Sequence, residues 1–458
     1  MPLTEAAAAV ENGERLTGHG RSALRTAALE IAVSGLAAVD PGVGIKEKVS
    51  RRGNDLIIAG RTYGLDRGVH IIGAGKATYR IASMMEKMLG DDLDGGVIIV
   101  GPEEASPLGR VDVLEGDHPI PATRSTSAAQ AILDYGAYVA DGDLVIACFT
   151  GGSSALMSAP PPTIRPWAKR HLHELLLSSG LDIVKVNTVR KHVSAVKGGR
   201  LAERMAGTDI VNLTVSDVAA DVIDCITDPT VQDTTTPADA VRVLRDAELW
   251  SQVAPEIQQH LSTNNQQPPD LSGRSITTVL LATGETACAA MVSRSEELGY
   301  RPHTVSTTWD GDAVAFGEHL AGLASQSVDT DALNSPPCVH VGCGGETTVK
   351  SGAWRAMAGE GGPNQELALA AARSMSGGPP AALLVLDTDG CDGGTCNAGG
   401  LVDDTTYAAA SAAGHDVAAA LRSHRSSRTL EGIGDALVTG PTGTNVNDLF
   451  VLVVDRPE

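Results

Sequence analysis

Short apolar strands that run into glycine-bearing loops and then into helices recur along the first half of this sequence. The predicted strands are 69–72, 97–100, 143–149 and 210–215, and the predicted helices are 24–36, one that follows Lys76 and ends near Leu89, 167–179 and 189–205. This order of strand, loop and helix is typical of a parallel sheet that is covered by helices. The pattern therefore indicates the α/β class.

The second half of the sequence repeats this pattern, with predicted strands over 277–281, 338–341, 383–386 and 449–454. A polar segment that contains prolines, residues 262–270, separates the two halves and is typical of a linker. A chain of 458 residues is also too long for one ordinary core. We therefore predict two domains, 1–262 and 271–458.

The balance of charge limits the partners that this chain can have. The sequence has 56 acidic against 35 basic residues, a net charge of -21, and only 3% aromatic residues. Binding to nucleic acid needs a basic surface, and stacking on bases needs aromatic side chains. We therefore expect no nucleic-acid partner and no anionic membrane partner. The acid-rich, lysine-poor composition fits a halophile-like surface, and a GC-rich genome would produce the same bias.

The cysteines indicate a reducing compartment. The seven cysteines are dispersed, odd in number and without CxxC spacing, so the sequence predicts neither a disulfide framework nor a zinc site. The first residues lack a basic stretch followed by an apolar one, and no apolar run approaches the ~18 residues of a membrane span. We expect a cytoplasmic protein.

Two of the glycine loops have the composition of anion-binding loops. Ligands of open parallel sheets bind beyond the carboxyl ends of the strands. Gly73-Ala74-Gly75-Lys76 lets the backbone approach an anion and adds a positive charge, and Thr150–Ser154 offers two glycines and three hydroxyls to phosphate oxygens. Ordinary strand-to-helix turns remain the alternative. The P-loop pattern is absent, and Thr78 stands where the dinucleotide-binding fingerprint needs its third glycine.

A basic segment, residues 185–200, stands out in this acidic chain because it holds three of the nine lysines. Its side chains can meet a carboxylate or a phosphate, or they can form a solvated helix face that pairs with surface acids. The candidates for anion binding are Asn187, Arg190, Lys191 and Lys197.

Carboxylates cluster at the ends of predicted strands and predict a magnesium site. They are Asp217 and Asp221, then Asp387, Asp389 and Asp392, and finally Asp448. Oxygen ligands of this kind suit Mg²⁺, although each aspartate can equally cap a helix or form a turn. His118 is either an acid/base or a turn histidine bonded to the backbone. Together the loops offer hydroxyl, amide, lysine and aspartate groups without a Cys–His pair or a GxSxG motif, which favours phosphoryl transfer over acyl transfer.

At the level of whole motifs, the sequence resembles the class II glycerate 2-kinases, the family with a MOFRL C-terminal domain. The matching motifs are Gly73–Ala77, Gly116–Pro121, Gly151–Leu156, Val186–His192 with Lys197–Arg200, Ser216-Asp217, Thr283–Thr286, Gly344–Thr348, Asn364–Glu366, Asp387–Gly390 and Gly440–Asp448. They follow one another in the family's order over almost the whole chain.

The resemblance implies an ATP- and Mg²⁺-dependent kinase that phosphorylates the 2-hydroxyl of D-glycerate to 2-phosphoglycerate in carbohydrate acid catabolism. It also implies a Rossmann-like N-terminal domain, a smaller α/β C-terminal domain and a cleft between the two. Oligomeric state stays open, a homodimer included.

The resemblance also implies roles for individual residues. Lys76 is the implied catalytic lysine, and Asp217 is the implied active-site aspartate that binds Mg²⁺ or orients the attacking hydroxyl. The implied metal ligands are Asp217, Asp389 and Asp448. The implied substrate- and nucleotide-binding residues are Gly73, Gly75, Gly151, Gly152, Ser153, Ser154, Asn187, Arg190, Lys191, Lys197, Glu285, Glu346, Thr347, Asn364, Gln365, Glu366, Asp389, Asn445 and Asn447.

Three motifs depart from the family pattern. Pro363 stands where the family has an arginine before Asn-Gln-Glu, and the loops 225–230 and 393–399 are altered. These changes leave three alternatives open: a kinase for another small hydroxy acid such as tartrate or a C4 sugar acid, a sensor that binds nucleotide or glycerate with weak turnover, and a hydroxypyruvate reductase.

Overall fold

The computed structural model describes residues 10–216, 229–263, 267–329, 336–348 and 360–456. The chain divides into two compact units, residues 41–281 and residues 1–40 together with 282–458. We call them the parallel-sheet unit and the composite unit. This division differs from the predicted 1–262 and 271–458, because the N-terminal helix packs with the second half of the chain. In addition, the strand predicted at 277–281 for the second half belongs to the sheet of the first unit. Among the described residues, no single helix is long and apolar enough to cross a membrane.

The parallel-sheet unit contains a six-stranded sheet with the strand order β6-β5-β4-β7-β8-β9. Its strands are β4 (Val69–Ala74), β5 (Gly95–Val100), β6 (Val111–Glu115), β7 (Leu144–Phe149), β8 (Asp209–Val215) and β9 (Ile276–Ala282). The first five pair in parallel, as predicted. Strands β4, β5 and β7 are buried along their whole length, which is why they are continuous apolar runs. A separate antiparallel sheet is formed by β1 (Val49–Arg52), β2 (Asp55–Ile58) and β3 (Arg61–Gly64).

The α-helices of this unit include the predicted helix that ends near Leu89 and the predicted helix over 167–179, together with others that the sequence did not predict. They are α3 (Pro41–Lys48), α4 (Thr78–Leu89), α5 (Thr123–Tyr138), α6 (Ser153–Leu156), α7 (Pro166–Leu177), α8 (Ile183–His192), α9 (Arg200–Arg204), α10 (Pro237–Asp246) and α11 (Pro255–Thr263). The single predicted helix over 189–205 is wrong. Gly198 and Gly199 adopt φ values of 60° and 81°, which a continuous helix does not allow, so the chain forms α8 and α9 with a connecting segment between them.

The order of the strands creates a switch point in the parallel sheet. From β4 the chain moves outward through β5 and β6, then returns to the other side of β4 with β7 and continues to β8. The carboxyl ends of β4 and β7 therefore lie side by side, with Ala74 opposite Phe149. Loops that leave a parallel sheet in opposite directions at such a point form the crevice in which ligands bind.

The composite unit has a mixed six-stranded sheet with the order β10-β11-β15-β12-β13-β14. The strands are β10 (Arg301–Asp312), β11 (Cys338–Thr348), β12 (Ala381–Asp387), β13 (Gly399–Asp403), β14 (Ala436–Leu437) and β15 (Asp448–Val454). Only the β10–β11 pair is parallel among the pairs described. The expectation that the second half repeats the parallel pattern is therefore wrong. Strand β13 follows β12 without an intervening helix, so the chain turns back and the two strands pair antiparallel.

Helices on this sheet bury a core that includes Trp309 and two of the chain's three phenylalanines, Phe316 and Phe450. The α-helices described are α1 (Gly13–Thr17), α2 (Ser22–Ala38), α12 (Gly284–Glu297), α13 (Ala313–Asp329), α14 (Pro363–Met375), α15 (Thr406–Ala412), α16 (Val417–Arg422) and α17 (Ser426–Ile433). Trp309 stacks on Phe316 with 3.7 Å between the ring centroids, and Phe450 meets both rings edge-on. Helix α14 buries almost its entire length.

A buried ion network joins the N-terminal helix α2 to the second half of the chain. The Arg25 guanidinium donates to Asp403 at 2.5 Å and to Asp435 at 2.7 Å, and all three side chains are at most 2% exposed. Arg25 also donates to the carbonyl oxygens of Leu16 and Leu401. The positive charge of Arg25 helps to hold the pKa of Asp403 below its usual range. This network explains why residues 10–40 belong to the composite unit.

We predict that Arg25→Met lowers the free energy of unfolding by about 3–5 kcal/mol, because it leaves two carboxylates buried without their cation. Arg21→Met is the matched control. Arg21 pairs with Asp404 at 2.8 Å but is 40% exposed, so its loss should cost less than about 1 kcal/mol. Urea denaturation measures both values, and equal losses in the two variants would contradict the proposed importance of Arg25.

Candidate functional site

Two predicted anion-binding loops meet at the switch point of the parallel sheet. The Lys76 amide donates to the carbonyl oxygen of Gly151 at 2.9 Å, and the Thr150 amide donates to that of Ala74 at 3.0 Å. The Thr150 hydroxyl accepts the amide of Ala77 at 3.1 Å. The loop after β4 and the loop after β7 therefore form one hydrogen-bonded structure at the carboxyl end of the sheet.

Glycines at two positions make this close approach possible. Gly75 has a φ of 139°, and a Cβ there would collide with the Thr150 side chain. Gly152 has a φ of 83°, and a Cβ there would lie 3.2 Å from the Lys76 side chain and 3.6 Å from the imidazole of His118. Both φ values disfavour residues with a Cβ. Gly152 thus brings three sequence motifs together, those of Lys76, His118 and the 150–154 loop.

The basic segment reaches the same loop through Lys197. The Lys197 ammonium donates to the hydroxyl of Ser154 at 3.0 Å, and Lys197 is almost completely buried. Lys191 lies elsewhere, because its ammonium pairs with buried Asp233 at 2.6 Å. Lys185 is exposed and pairs with Asp182. Of the three lysines in this segment, Lys197 is therefore the one that the described contacts connect to the glycine-rich loop.

The electrostatic environment beside this loop is strongly positive. Burial and the charges of Arg190, Lys197 and Lys169 lower the pKa of His173 to about 3. The hydrogen bond between the His173 ring and the carbonyl oxygen of Pro119 raises this pKa, but its effect is smaller. Burial and the charge of Arg190 lower the pKa of Lys169 to about 7. Buried cations close to one another are costly unless an anion joins them. The arrangement is suited to binding an anionic ligand.

Sequence reasoning missed Lys169 and His173 as members of this site. They lie four residues apart on α7 and share its buried face with the apolar residues Leu172 and Leu176. A lysine at a position where the helix pattern requires an apolar residue is the signal that was present in the sequence.

The other predicted residues of the parallel-sheet unit have the following positions. Gly73 is in β4, Ser153 begins α6, and Asn187 and Arg190 lie on α8, with Asn187 buried. Asp217, Asp221 and the altered loop 225–230 up to residue 228 lie outside the described residues.

In the composite unit, the predicted Asn364-Gln365-Glu366 motif begins helix α14. The carboxylate of Asp392 accepts the amides of Asn364 at 3.1 Å and Gln365 at 2.8 Å, and so caps the helix. Burial raises the pKa of Asp392 to about 7. Pro363 is the first residue of the helix, a position where a missing N–H removes no intrahelical hydrogen bond. The departure from the family arginine is therefore compatible with the local backbone.

The side chains of Gln365 and Glu366 are bonded within the composite unit. The Gln365 amide nitrogen donates to Asp392 and Thr395, both at 3.0 Å, while its oxygen accepts from Asn397 and Ser427. Glu366 lies 2.9 Å from the ring of His424, and burial raises the pKa of its carboxyl. These contacts favour a structural role for both residues, which the sequence predicts to bind substrate or nucleotide.

The predicted metal ligands of this unit lie in or near the ends of two central strands of its sheet, β12 and β15. Asp448 begins β15, pairs in register with Asp387 at the end of β12, and accepts a hydrogen bond from Asn364 at 2.6 Å. Asp389 follows two residues after Asp387, and its amide donates to that carboxylate. In the part of the chain that the structure describes, no group of three or more His, Cys, Asp or Glu side chains could hold a metal ion. Asp389 and Asp448 as metal ligands stay a prediction.

The remaining predicted residues are on strands, loops and helix starts of the composite unit. Glu285 is exposed in the first turn of α12, where Thr283 and Thr286 cap the helix. The backbone of Glu346 and Thr347 belongs to β11. Asn445 accepts the amide of Asn447, and the carbonyl oxygen of Asn447 accepts the hydroxyl of Thr388 at 2.7 Å.

Comparison with known proteins agrees with this arrangement of motifs. Residues 27–262 match a family described as a domain of unknown function (DUF4147), and residues 339–448 match the MOFRL family. The chain is 34% identical to the glycerate 2-kinase of Pyrococcus horikoshii over 436 residues, which cover 94% of this chain and 97% of that protein. The chain belongs to the glycerate kinase family. The predicted family resemblance and α/β fold class are thereby confirmed.

A solved structure from this family has the same fold. The glycerate kinase of Thermotoga maritima aligns with a TM-score of 0.76 at 30% identity, covering 93% of this chain and 98% of the other. A similar protein of Agrobacterium vitis carries a different, provisional name, hydroxypyruvate reductase, and is 33% identical over 385 residues, covering 84% of this chain and 86% of that protein. The loops at the switch point of this glycerate kinase family member still lack the dinucleotide fingerprint.

The contacts of Gln365 predict how this member of the glycerate kinase family responds to its removal. Gln365→Ala should lower the free energy of unfolding by about 1–3 kcal/mol, because it leaves buried polar groups without their partners. The matched control is Gln259→Ala at an exposed position of α11, which should change stability by less than about 0.5 kcal/mol. Denaturant unfolding measures both, and a Gln365→Ala protein as stable as the control would show that the amide network contributes little.

Proposed function

We propose that this protein is an ATP-dependent kinase that phosphorylates the 2-hydroxyl of D-glycerate and releases 2-phosphoglycerate. The observation that carries the proposal is the meeting of Lys76, the Thr150–Ser154 loop and Lys197 at the switch point of the parallel sheet, in a chain of the glycerate kinase family. Six described cysteines are free thiols, which is consistent with a reducing cytoplasm as the place of action.

The geometry supports specific roles for residues of the parallel-sheet unit. Backbone amides and hydroxyls of the loop can hold oxyanions, and Lys197 adds a charge at the Ser154 hydroxyl. Lys76, fixed through its own amide to the loop, is placed to stabilise negative charge that develops on the transferred phosphoryl group. Transfer from ATP to the alcohol needs positioning and charge stabilisation more than covalent chemistry, and this set of groups provides both.

We propose Mg²⁺ as a cofactor that would be bound both by carboxylates of the protein and by the phosphates of ATP. Mg²⁺ commonly binds to one or two carboxylates and keeps its other positions for phosphate and water, so a protein group of three ligands is not required. When bound it neutralises charge on the β- and γ-phosphates. Asp389 and Asp448 are the proposed ligands among the described residues, and Asp217 is the proposed ligand or hydroxyl-orienting residue outside them.

Pro363 supports a second candidate function. It stands in place of a family arginine and offers neither a charge nor an N–H, so the acid group of the substrate has one fewer cation available. The second candidate is therefore a kinase for another small hydroxy acid, such as tartrate or a C4 sugar acid.

A coupled assay of ADP release with ATP and Mg²⁺ tests the proposal against a panel of D-glycerate, L-glycerate, tartrate and C4 sugar acids. We expect turnover with D-glycerate that exceeds turnover with every other acid. Preference for another acid would favour the second candidate, and ATP binding without turnover would favour a sensor. Oxidation of NAD(P)H with hydroxypyruvate would instead favour a reductase.

Lys76→Ala should lower kcat for glycerate by about 10²–10³-fold, because it removes a group that stabilises the transition state. Lys87→Ala, at an exposed position of helix α4, which follows the Lys76 loop, is the matched control and should keep the wild-type kcat. Steady-state kinetics on both variants, with equal unfolding temperatures, measure the effect. A near-normal kcat in Lys76→Ala would remove this lysine from the mechanism.

Pro363→Arg restores the family residue at the first position of α14. The helix start accepts many residues at this position, so we expect the unfolding temperature to change by less than about 3 °C. Turnover with D-glycerate should stay equal to wild type or rise, because a cation is added. A large loss of turnover in a well-folded variant would show that this chain uses the loop differently from its relatives.

A further inference from the structure

The loop that contains His118 reaches the crevice at the switch point of the parallel sheet. It follows the carboxyl end of β6, and the amide of Gly116 donates to the carbonyl oxygen of Val100, the last residue of β5, at 2.9 Å. The position that a Cβ on Gly152 would occupy lies 3.6 Å from Nε2 of His118 and 3.2 Å from Cγ of Lys76. The side chains of His118 and Lys76 therefore both approach the loop after β7 at the same glycine.

Contacts on both sides of His118 hold the backbone of its loop. The carboxylate of Asp117 accepts a hydrogen bond from the Arg124 guanidinium at 2.8 Å, and the ring of His173 donates to the carbonyl oxygen of Pro119 at 3.1 Å. The side chain of His118 itself is exposed. The histidine is therefore held in position by its neighbours and is accessible to a molecule that binds beside it.

Two histidines belong to the charged and titratable groups described around this loop. The other members of this set are Asp117 and Glu115, which both pair with Arg124 of α5, Lys76 of the loop after β4, Lys197 of the connecting segment, and Lys169 of α7. His173 cannot take up a proton near neutral pH, because burial and nearby cations lower its pKa to about 3. An imidazole ordinarily gains and loses its proton between about pH 5 and 8. His118 is therefore the histidine of this set that a bound substrate can use as a base.

The neighbourhood of Lys76 is where the proposed reaction needs a base. A base that removes the proton of an attacking hydroxyl must lie within hydrogen-bonding reach of that oxygen. Under the proposed function, Lys76 stabilises the transferred phosphoryl group, so the attacking oxygen binds next to the group that Lys76 contacts. His118 approaches Gly152 beside Lys76. A hydrogen bond at one ring nitrogen fixes the tautomer and leaves the other nitrogen as the base, so an internal partner of His118 is compatible with this role.

We propose that His118 is the general base that accepts the proton of the attacking 2-hydroxyl. The inference rests on the proposed kinase function and extends it by naming a further catalytic residue. The hydroxyl oxygen forms a bond to the γ-phosphorus of ATP, while the bond from this phosphorus to the oxygen that bridges to the β-phosphate breaks and ADP leaves with the electron pair. The hydroxyl proton passes to a ring nitrogen of His118, and the imidazolium then releases it to water.

This role sets the sign of the pH dependence. A protonated imidazole cannot accept a proton, so kcat/KM of the wild type for D-glycerate should fall by up to about tenfold per pH unit as the pH is lowered through the range in which His118 becomes protonated. Loss of the Lys169 proton as the pH rises above about 7 acts on the opposite side of the profile. A profile measured from about pH 5 to about pH 9 shows both sides, and a flat acidic side would overturn the proposal.

His118→Gln tests the base while it keeps a polar side chain at this position. It should lower kcat by about 10²–10³-fold, leave KM for ATP within about twofold, and remove the fall of kcat/KM at low pH. His171→Gln is the matched control, because His171 is an exposed histidine on α7 of the same unit, and it should match the wild type. Unfolding temperatures equal to that of the wild type show that both variants fold.

Chemical rescue of a second variant distinguishes a base from a residue that only holds the loop. His118→Ala leaves room for an imidazole supplied in solution, which should restore part of the turnover. Among imidazoles substituted to differ in basicity, the restored rate should rise with basicity, because proton transfer by a general base follows Brønsted behaviour. Rescue that is absent, or that does not depend on basicity, would contradict a role as the base.

The outcomes separate this inference from the proposed function. A kcat of His118→Gln close to that of the wild type would overturn the role of His118 and leave the kinase function intact. A fall of kcat/KM at low pH that persists in His118→Gln would also overturn it, because another group, such as Asp217, would then accept the proton. A wild-type protein that does not phosphorylate D-glycerate would overturn the proposed function and this inference together.

Discussion

Buried positive charge beside the Thr150–Ser154 loop is the physical feature on which the candidate site depends. The protein as a whole carries a net charge of -21, yet Lys197 and Lys169 are buried, and the charge of Arg190 on α8 acts on Lys169. Taking cations out of water costs free energy that local carboxylates usually offset. Among the described residues, Glu256 pairs with Arg165, Glu174 with Arg170 and Asp233 with Lys191.

The fold explains why this charge collects where it does. Strand order reverses at β4 and β7, which brings the loop of Lys76 beside the loop of Ser154. Helix α8 ends at His192, the positive φ values of Gly198 and Gly199 exclude a continuous helix through 189–205, and Lys197 in the connecting segment contacts Ser154. A continuous helix over this region would carry Lys197 along the helix axis instead. Backbone geometry at a few positions thus determines which basic side chains serve the site.

Much of the fold could be predicted from the sequence, because strand and helix periodicity is local. The strands of the parallel sheet and the helix α7 follow directly from their apolar patterns. Strand direction in the composite unit could not be predicted in this way, because a buried strand has the same composition in either direction and its partner is distant in sequence. The association of α2 with the second half was equally hidden, since Arg25 contacts Asp403 and Asp435, which lie 378 and 410 residues away in the sequence.

Residues of the candidate site could be predicted only where they belong to a recognisable sequence motif. Glycine, lysine and hydroxyl residues of the two loops stand in recognisable patterns, and the structure brings them together. Lys169 belongs to no such pattern, and only its burial and neighbours reveal it. For Lys191 and Gln365 the opposite holds: their motifs suggest ligand binding, while their contacts are with Asp233 and with a buried amide network.

Phosphorus and proton NMR of the product formed from ATP and D-glycerate tests the central claim most directly. The account predicts that the new phosphate ester couples to the proton on C2, as in 2-phosphoglycerate, and that no ester forms when D-glycerate is omitted. A product phosphorylated on the 3-hydroxyl, or release of inorganic phosphate without any ester, would contradict it.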